Sequence, residues 1–350
     1  MNILIVTTSL RFKSGPNNVI SSLVSGWLEK GHTISLISIK PYTNEERERF
    51  SPLVDVQTLN FVTVFSFFYC FFKLREIMLS SNYDVVNSHG LLPDFLLKFN
   101  IGSNISSVIH NNPIDDYTFT YGKFRGFIYT KIHAYAINNN VKIFVSKEGY
   151  NNFKEKSDNC FYIPNGVSDK FSKIYKKSDS IRRVVFCGHL ENRKDPETFL
   201  KAASLLIKDD PLIEVNVLGE GSLKQHLESI YTFANFHGFV KNVPEFLNNS
   251  DVFVMSSKAE GMPMALLEAL SCNLRVVVSD IPSLRILVDD HNIGESFAVS
   301  DSKDCYAKIV AVLSNFENYE PRNVYLEHFT HQVMSDSYLK IFMNMDTKIK

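Results

Sequence analysis

Residues Ser256–Asp280 read SSKAEGMPMALLEALSCNLRVVVSD, and the order of residue types in this stretch predicts a loop, a helix and a strand. A short β-branched apolar run over Asp251–Ser257 predicts another strand just before it. Gly261 and Pro263 interrupt the chain, and a proline suits the first turn of a helix because its missing N–H would have no partner there. The stretch therefore predicts a helix over Met264–Ser271 between two strands.

Two carboxylates belong to this stretch, Glu260 before the predicted helix and Glu268 within it. Leu266, Leu267 and Leu270 share one helix face, so Glu268 points away from the sheet that this face would cover. The helix N-terminus carries unpaired N–H groups and a partial positive charge, which suit a phosphate. Together these groups would hold a sugar nucleotide. A solvated glutamate on a surface helix is the alternative interpretation.

The stretch resembles the donor-site motif of the retaining "group 1" glycosyltransferases, which have the GT-B fold. Their motif has two glutamates separated by seven residues, a glycine after the first and Leu-Glu-Ala around the second. Here these are Glu260, Gly261 and Leu267-Glu268-Ala269. The resemblance implies that Glu260 binds sugar hydroxyls and Glu268 the ribose. The segment after Glu260 would hold the sugar or phosphate, and its residues are Gly261, Met262, Pro263, Met264 and Ala265.

Strands and helices are predicted in alternation along the chain, which indicates parallel sheets covered by helices. The resemblance implies an α/β protein of the GT-B type, in which two Rossmann-like domains face each other across a cleft. The first, acceptor-side domain would comprise residues 1–165, and the nucleotide-sugar donor domain residues 166–328. A C-terminal helix over residues 329–350 would return to the first domain.

The composition limits the class of protein. The 350 residues are enough for two domains, and 45% hydrophobic with 21% charged residues is typical of globular proteins. The net charge of −1 argues against a nucleic-acid partner that needs a basic face. The five cysteines have no metal-ligand spacing and are odd in number, so we expect no disulfide framework. The N-terminal MNILIVTTSL predicts a first strand rather than a signal peptide.

Basic residues follow a strand predicted at Arg183–Gly188. The family pattern there is Gly-Arg-Leu and, after a short gap, Lys-Gly, and its two cations bind the diphosphate. Lys194 matches the lysine, whereas His189 replaces the arginine, and Arg193 would supply the missing cation. An arginine clamps phosphate through two parallel hydrogen bonds, whereas a histidine is only partly charged at neutral pH. A solvated Arg-Lys pair ahead of a helix is the alternative.

Two further matches to donor-binding segments lie in the first half of the chain. Ser14-Gly15 follows the first strand where the family usually has Gly-Gly, and Gly15 would approach the donor phosphates or the acceptor. A dinucleotide fingerprint of three spaced glycines is absent, so we expect no nicotinamide cofactor. Pro164-Asn165-Gly166-Val167 resembles the Pro-Asn-Gly-Val-Asp of the family, with Ser168 in place of the aspartate.

Histidines stand at the ends of two predicted strands, His89 after YDVVNS and His110 after SSVI. Ligands of open parallel sheets bind at the carboxyl ends of strands, although a lone loop histidine is more often structural. The resemblance implies that His110 lies near the transferred sugar and is catalytic, with Glu260 and Lys194. His89 would belong to the acceptor side, together with a segment shared by bacterial surface-polysaccharide members of the family, Asp115, Asp116 and Tyr117.

The implied enzyme is a glycosyltransferase that moves a hexose or N-acetylhexosamine with retention. The donor would be a nucleotide-diphosphate sugar such as a UDP-sugar, and the acceptor a lipid-linked saccharide of O-antigen, lipopolysaccharide or capsule synthesis. We expect no cofactor and no metal ion, because the chain has no Asp-x-Asp motif. The expected location is cytoplasmic, peripheral on the cytoplasmic face of the membrane.

Two other functions stay open at this point. A sugar-nucleotide 2-epimerase of the same fold would release its nucleotide without any acceptor. A catalytically degenerate scaffold subunit would keep the fold and pair with an active transferase. This second alternative is motivated by departures from the family pattern at His189, Asn273, Arg275 and Ile286.

The run Phe61–Phe72, FVTVFSFFYCFF, is dense in aromatic residues. As a helix it is too short to span a bilayer. A buried core helix is therefore the expected assignment. The alternative is a helix at a membrane interface, where aromatic side chains are favoured.

Overall fold

The protein is described by a computed structural model that covers residues 1–11, 15–50, 52–63, 65–99, 104–156, 159–169 and 181–346. Its contacts divide the chain into two compact units. Unit 1 comprises Met1–Gly166 with His331–Lys350, and unit 2 comprises Val167–Thr330. Each is built around a parallel sheet, which confirms the predicted α/β class. Ser14 and most of the predicted linker after Ser168 lie outside the described residues.

Unit 1 contains a seven-stranded sheet in the order β3-β2-β1-β4-β5-β6-β7. Its strands are β1 (Asn2–Thr7), β2 (Thr33–Ser38), β3 (Asp55–Thr58), β4 (Val85–His89), β5 (Ile105–Ile109), β6 (Val141–Phe144) and β7 (Cys160–Tyr162). Thr7 pairs with His89, and His89 pairs with Val108. Strands β1, β4 and β5 therefore end at the same edge of the sheet.

The helices of unit 1 join these strands, and one more comes from the end of the chain. They are α1 (Gly15–Glu29), α2 (Asn44–Arg47), α3 (Ser66–Ser80), α4 (Leu91–Leu97), α5 (Pro113–Tyr121), α6 (Lys123–Ala136), α7 (Lys147–Phe153) and α15 (His331–Asp346). Helix α15 packs closely on α1, because a Cβ at Gly26 would lie 2.4 Å from the Ser335 hydroxyl. The buried Trp27 also donates to the Ser335 carbonyl at 3.3 Å.

Unit 2 contains a six-stranded sheet in the order β10-β9-β8-β11-β12-β13. Its strands are β8 (Arg183–Cys187), β9 (Glu214–Leu218), β10 (Asn235–Gly238), β11 (Val252–Met255), β12 (Arg275–Ser279) and β13 (Gly294–Phe297). Its helices are α8 (Pro196–Asp209), α9 (Lys224–Ile230), α10 (Val243–Asn248), α11 (Met264–Ser271), α12 (Pro282–His291), α13 (Ser302–Ser314) and α14 (Pro321–His328). An apolar cluster that includes Phe186, Phe199 and Val254 fills the space between sheet and helices.

The aromatic run Phe61–Phe72 differs from its prediction. Helix α3 begins at Ser66 and buries Cys70 and Leu74 against the sheet. Its opposite side exposes Phe68 by 69% and Phe72 by 65%. The prediction of a core helix is thus right for one face of α3 and wrong for the other. Within the described part of the chain, no helix has the length and apolarity needed to cross a membrane.

Candidate active site

Helix α11 occupies the residues predicted for it, Met264–Ser271, and Pro263 is its N-cap. The loop that carries Glu260 joins this helix to strand β11. Leu266, Leu267 and Leu270 are buried and Glu268 is half-buried, as the helical spacing predicts. The sequence folds in this way because the apolar face of α11 packs against β11 and β12, which leaves Glu268 on the outer side.

An ion pair joins the two donor-site segments that the sequence singled out. The Lys194 ammonium contacts the Glu260 carboxylate, and Arg193 Nη1 lies 4.0 Å from the same carboxylate. Only 6% of the Glu260 side chain and 15% of the Lys194 side chain are exposed. A carboxylate this buried requires a partner, because desolvating an unpaired charge costs several kcal/mol. The structure thus places two cations and a carboxylate directly before α11.

Hydrogen bonds hold the cationic loop against the Glu260 loop. Arg193 donates to the Ala259 carbonyl at 3.3 Å, and the Lys258 amide donates to the Arg193 carbonyl at 2.8 Å. The Ser256 hydroxyl lies 3.1 Å from the Lys194 carbonyl and 2.7 Å from the Asp195 carbonyl. Sequence reasoning missed Ser256, whose position at the end of a predicted strand was the available signal.

Asp195 is a second residue of this loop that the sequence analysis missed. Its backbone is left-handed, with φ 46° and ψ 49°, at the N-cap of α8. Its carboxylate accepts hydrogen bonds from Thr198 at 2.9 Å and from Ser300 at 2.7 Å, and lies 3.5 Å from the Lys258 ammonium. These contacts fix the turn that presents Lys194. Asp195 therefore has a positioning role in this geometry.

Glu268 lies near the end of β8. Burial and, to a lesser extent, the Glu268 carboxylate raise the pKa of the Cys187 thiol to about 12, and the Lys194 ammonium opposes this shift. Both charged groups are therefore within electrostatic range of Cys187. The structure thus gathers Lys194, Glu260 and Glu268 at the carboxyl ends of β8 and β11.

The remaining residues predicted for donor binding are distributed over both units. His189 is half-buried in the loop after β8, and its carbonyl accepts the Glu191 amide at 3.0 Å. In unit 1, Gly15 is the exposed first residue of α1, and Asn165 is 3% exposed. The others are the buried Gly261, Met262 and Pro263 directly before α11, and the buried Met264 and half-buried Ala265 in its first turn.

Two departures from the family pattern have structural explanations. Asn273 follows α11 with φ 61°, a left-handed conformation that glycine and asparagine adopt more readily than other residues. Arg275 is 7% exposed and stacks on Phe316, with 3.5 Å from its guanidinium carbon to the ring centroid. Its Nε donates to the Phe316 carbonyl at 3.0 Å. Neither side chain belongs to the Lys194–Glu260 pair.

Unit 1 has a cavity of about 190 Å³ at the carboxyl ends of β1, β4 and β5. It is lined by nearly all of the predicted acceptor-side and catalytic residues of this unit, His89, His110, Asp116 and Tyr117. Asp115 is exposed in the first turn of α5, where its charge favours the helix N-terminus. Asp116 accepts a hydrogen bond from Asn111 at 3.1 Å.

The two histidines of this cavity are hydrogen-bonded to each other. His89 Nδ1 lies 2.9 Å from His110 Nε2, and His89 Nε2 lies 2.7 Å from the Asn87 side-chain oxygen. Since the Asn87 oxygen only accepts, His89 carries its proton on Nε2, and its Nδ1 accepts a hydrogen bond from the N–H at Nε2 of His110. Burial lowers the pKa of His110 to about 4 and, with the nearby His110, lowers that of His89 well below its usual value. Both rings are neutral at pH 7, and His110 keeps Nδ1 as a hydrogen-bond acceptor.

A second network, absent from the sequence analysis, reaches the same cavity. The hydroxyl of Tyr117 lies 2.8 Å from His133 Nδ1, and His133 Nε2 lies 2.9 Å from the fully buried Asp94 carboxylate. The other oxygen of Asp94 accepts the Ser107 hydroxyl at 2.5 Å. The Asp94 carboxylate oxygen faces Nε2 of His133, so that Nδ1 on the other side of the ring faces the Tyr117 hydroxyl. The network therefore fixes the orientation of the Tyr117 hydroxyl.

Among the described residues, no group of three or more His, Cys, Asp or Glu side chains is placed to hold a metal ion. The polar groups near α11 are instead two cations and two carboxylates, Arg193, Lys194, Glu260 and Glu268. The cations of this set can neutralise an anion, and its carboxylates can accept hydrogen bonds from hydroxyl groups.

The fold of the whole chain is known from solved structures. Sucrose-phosphate synthase from Thermosynechococcus elongatus superposes with a TM-score of 0.82 at 14% identity, covering 99% of this chain and 100% of that one. At this identity the likeness concerns the fold alone. It confirms the predicted class of architecture, the GT-B fold of glycosyltransferases.

Sequence comparison shows similarity to one family of enzymes. Residues 181–315 match the family model described as "Glycosyl transferases group 1". The UDP-Gal:alpha-D-GlcNAc-diphosphoundecaprenol alpha-1,3-galactosyltransferase of Escherichia coli is 32% identical over 159 residues, 40% of this chain and 41% of that protein. The O-antigen biosynthesis glycosyltransferase WclY of Escherichia coli is 21% identical over 99% of both chains. The predicted resemblance to group 1 glycosyltransferases is confirmed, and the chain spans less than half of the first relative.

Proposed function

We propose that this protein transfers a sugar from a nucleoside-diphosphate sugar to a lipid-linked saccharide, with retention of the anomeric configuration. The observation that carries the proposal is the buried Lys194–Glu260 pair, with Arg193 beside it, at the start of α11. The similarity to an enzyme named for UDP-galactose and a diphosphoundecaprenol-linked sugar supports the choice of substrates. The O-antigen relative supports a role in surface-polysaccharide synthesis.

The cations of unit 2 would bind the donor diphosphate. A diphosphate near Lys194 and Arg193 competes with Glu260 for both cations, and the helix N-terminus adds its partial positive charge. Glu260, released from its ion pair, would accept hydrogen bonds from sugar hydroxyls, and Glu268 from the ribose. Charge that grows on the leaving phosphate would be stabilised by groups already in place. No metal ion is required by this scheme.

Retention would follow from front-face attack. A double displacement requires a free carboxylate nucleophile at the anomeric carbon, whereas Glu260 would be occupied by hydrogen bonds from the sugar hydroxyls in this scheme. The acceptor hydroxyl would attack the anomeric carbon from the face that the diphosphate leaves, and a phosphate oxygen would take the hydroxyl proton. In unit 1, His110 and Tyr117 line a cavity suited to the hydroxyls of a saccharide. We assign this cavity to the acceptor, and His110 to sugar or acceptor positioning.

A donor panel tests the proposal directly. The purified protein is incubated with a series of nucleoside-diphosphate sugars, and its thermal midpoint is measured for each. Nucleotide release is then followed with and without a lipid-linked saccharide, and the anomer of the product is identified by NMR. We expect stabilisation by one donor and release that depends on the acceptor.

Other outcomes select the alternatives. Release of nucleotide without acceptor would favour the 2-epimerase, and the absence of any donor-dependent shift would favour the scaffold subunit. An inverted anomer would contradict front-face attack while leaving transfer in place. The structural roles of Asn273 and Arg275 weaken the argument for a degenerate subunit.

A matched pair of variants tests the role of Glu260. Glu260→Gln keeps the shape of the side chain but removes the charge, and we expect kcat/KM to fall by about 10²–10³-fold. Glu295→Gln is the control, because Glu295 also pairs with a lysine of unit 2, Lys308 at 3.0 Å. Equal losses in the two variants, or a Glu260→Gln protein with near-normal activity, would contradict the assignment.

A further inference from the structure

Exposed aromatic side chains are concentrated in one part of unit 1. Among the described residues, all exposed phenylalanines and tyrosines except Phe161 and Phe239 lie between Phe65 and Tyr135. Single exposed apolar residues need no explanation, but a contiguous group indicates an interaction surface. The outer sides of two helices, α3 and α6, carry most of this group.

Helix α6 presents its apolar stripe to solvent instead of to the core. Phe124, Phe127, Ile128 and Tyr135 recur at helical spacing and are exposed by 79%, 63%, 41% and 56%. The buried side of the same helix carries Gly126, His133 and Ala136. The usual pattern of a surface helix is thus inverted. Such a helix leaves its apolar side chains available to a partner.

Helix α3 also exposes apolar side chains, although it is apolar on both sides. Phe68, Tyr69, Phe72 and Leu79 lie on its outer side with exposures of 69%, 61%, 65% and 75%. Its inner side buries Cys70 and Leu74 in the core of unit 1. Two helices of one unit therefore present apolar side chains to solvent.

Helix α4 packs between α3 and α6 and joins their outer sides into one surface. Phe71 of α3 contacts Phe99 at the end of α4, with 6.4 Å between ring centroids. On the other side, Lys98 Nζ lies 4.9 Å from the centroid of the Tyr135 ring in α6. The connections from β3 to β6 that contain these helices are successive right-handed crossovers, which cover the same side of a parallel sheet. We call this surface the aromatic face; its exposed apolar residues are Phe68, Tyr69, Phe72, Leu79, Phe99, Phe124, Phe127, Ile128 and Tyr135.

The aromatic face is basic, although the chain as a whole has a net charge of −1. Helix α6 contains no acidic residue, and Lys131 stacks on Phe127 with 5.4 Å from Nζ to the ring centroid. The acidic side chains of α3 and α4 are Glu76, which pairs with Lys73 at 3.0 Å, and the buried Asp94. The basic residues of the face are Lys73, Arg75, Lys98, Lys123, Arg125 and Lys131.

We propose that the aromatic face docks on the surface of a bilayer that contains anionic lipids. Aromatic rings are favoured at the depth of the lipid headgroups, and basic side chains beside them gain about 1 kcal/mol each near an anionic surface. A second copy of this chain fits less well, because a symmetric contact would set the cations of one face against those of the other. The inference deepens the proposed function, since a lipid-linked acceptor places the reaction at a membrane. Docking of the aromatic face on a bilayer does not depend on the transfer of a sugar.

Sedimentation with liposomes tests the proposal without donor or acceptor. The purified full chain is mixed with vesicles of phosphatidylglycerol and phosphatidylethanolamine, or with vesicles of phosphatidylcholine alone. We expect binding to the anionic vesicles that weakens as salt is added, since surface charge interactions are screened. Failure to bind the anionic vesicles would overturn the proposal and leave the transferase assay unaffected.

Paired variants distinguish binding through the aromatic face from nonspecific adsorption to vesicles. Phe124→Ser with Phe127→Ser, and independently Phe68→Ser with Phe72→Ser, should each weaken vesicle binding at least tenfold. Leu212→Ser with Leu326→Ser is the control, because these exposed residues of unit 2 lie outside the face. Two independent aromatic pairs keep the test valid if one variant fails to fold. Equal binding by the aromatic and control variants would overturn the proposal.

The cations are tested in the same way. Changing Lys123, Arg125 and Lys131 to glutamine should weaken binding to anionic vesicles on the order of 100-fold at low salt. The control changes three exposed lysines of unit 2 to glutamine, Lys208, Lys241 and Lys303, and alters net charge equally. The molecular mass in solution is measured by sedimentation velocity for the unmodified protein and for all variants. If only the aromatic variants differ in mass from the unmodified protein, the face mediates self-association, and the lipid assignment is overturned.

Discussion

The polar sites of the two units are assembled in different ways. In unit 2 the cations and carboxylates come from two short segments, residues 193–195 and 256–268, each of which carries a motif. In unit 1 the cavity network combines side chains from β4, β5, α4, α5 and α6. A site made from continuous segments leaves a pattern in the sequence, whereas one made from single residues of many elements does not. The comparison predicts that unit 2 carries the larger catalytic effects and unit 1 the larger effects on local stability.

The largest expected effect is that of Lys194→Met on transfer. Methionine fills a similar volume but cannot neutralise the diphosphate, so we expect kcat/KM to fall by about 10²–10³-fold, or roughly 3–4 kcal/mol. Steady-state nucleotide release with the preferred donor measures this loss. Lys308→Met serves as the control, because Lys308 also pairs with a glutamate of unit 2, Glu295, away from the motif. A similar loss in both variants would show that the effect comes from stability rather than from the site.

The second expected effect is a loss of stability of unit 1 in acid. The folded pKa of His110, about 4, lies below the unfolded value near 6.5, so below pH 6.5 the unfolded chain binds more protons than the folded one. Stability is therefore lost as the pH falls from 6.5 towards 4, by on the order of 3 kcal/mol. Urea unfolding between pH 7.5 and 4.5, followed by fluorescence, measures the loss. The single tryptophan of the chain, Trp27, is buried in unit 1 and reports on that unit.

His110→Gln sharpens this test. Glutamine can still donate a hydrogen bond to His89 but does not titrate, so the pH dependence should become shallower while the stability at pH 7.5 changes little. His226→Gln, on the exposed surface of unit 2, should leave the Trp27 transition as steep as in the unmodified protein. An unchanged slope in His110→Gln would mean that the buried histidine pair does not control the acid response.

The third expected effect concerns the network that the sequence did not reveal. In Asp94→Asn the amide cannot accept from both Ser107 and His133, so the His133 proton moves to Nδ1 or loses its partner. We expect unit 1 to lose about 2 kcal/mol, within the range for a buried hydrogen bond to a charged group. Urea unfolding by Trp27 fluorescence measures it. Asp336→Asn, which removes an exposed ion pair with Lys30 in the same unit, should cost less than about 1 kcal/mol.

The elements that the sequence predicted well have regular apolar patterns. Strand β12 and helix α11 bury the residues that their periodicity selects, and α11 keeps its predicted bounds. No helix was predicted between His110 and Val141, where α5 and α6 lie, although the apolar residues of α6 recur at helical spacing. Periodicity selects an apolar stripe but does not say whether that stripe faces the core or solvent, which is why only one face of α3 was assigned correctly.

The candidate site shows the same division. Glu260, Glu268 and Lys194 were selected from motifs, and the structure brings them together. Asp94 and His133 stand 39 residues apart on different helices, and nothing in their local sequence marks them as partners. Such pairs depend on the packing of α4 against α6, which a single sequence does not specify.

The smallest expected effect tests whether the departures of unit 2 from the family pattern are structural. Asn273 has φ 61°, and its side-chain oxygen accepts the Arg322 amide at 3.2 Å. Asn273→Ala loses this bond and is strained, so it should destabilise the segment after α11 by about 1–2 kcal/mol. Hydrogen exchange of residues 264–279 measures the change.

Asn273→Gly is the matched control for this last prediction. Glycine adopts this left-handed conformation without strain, which offsets the lost hydrogen bond to within about 0.5 kcal/mol. Transfer activity should stay unchanged in both variants, because Asn273 lies beyond the C-terminal end of α11, opposite the end that carries Glu260. A rise in activity of tenfold or more in Asn273→Gly would show that this departure impairs the site. The contrast between a motif-built site in unit 2 and a packing-built one in unit 1 would then need revision, since residues outside the motif would also set the catalytic rate.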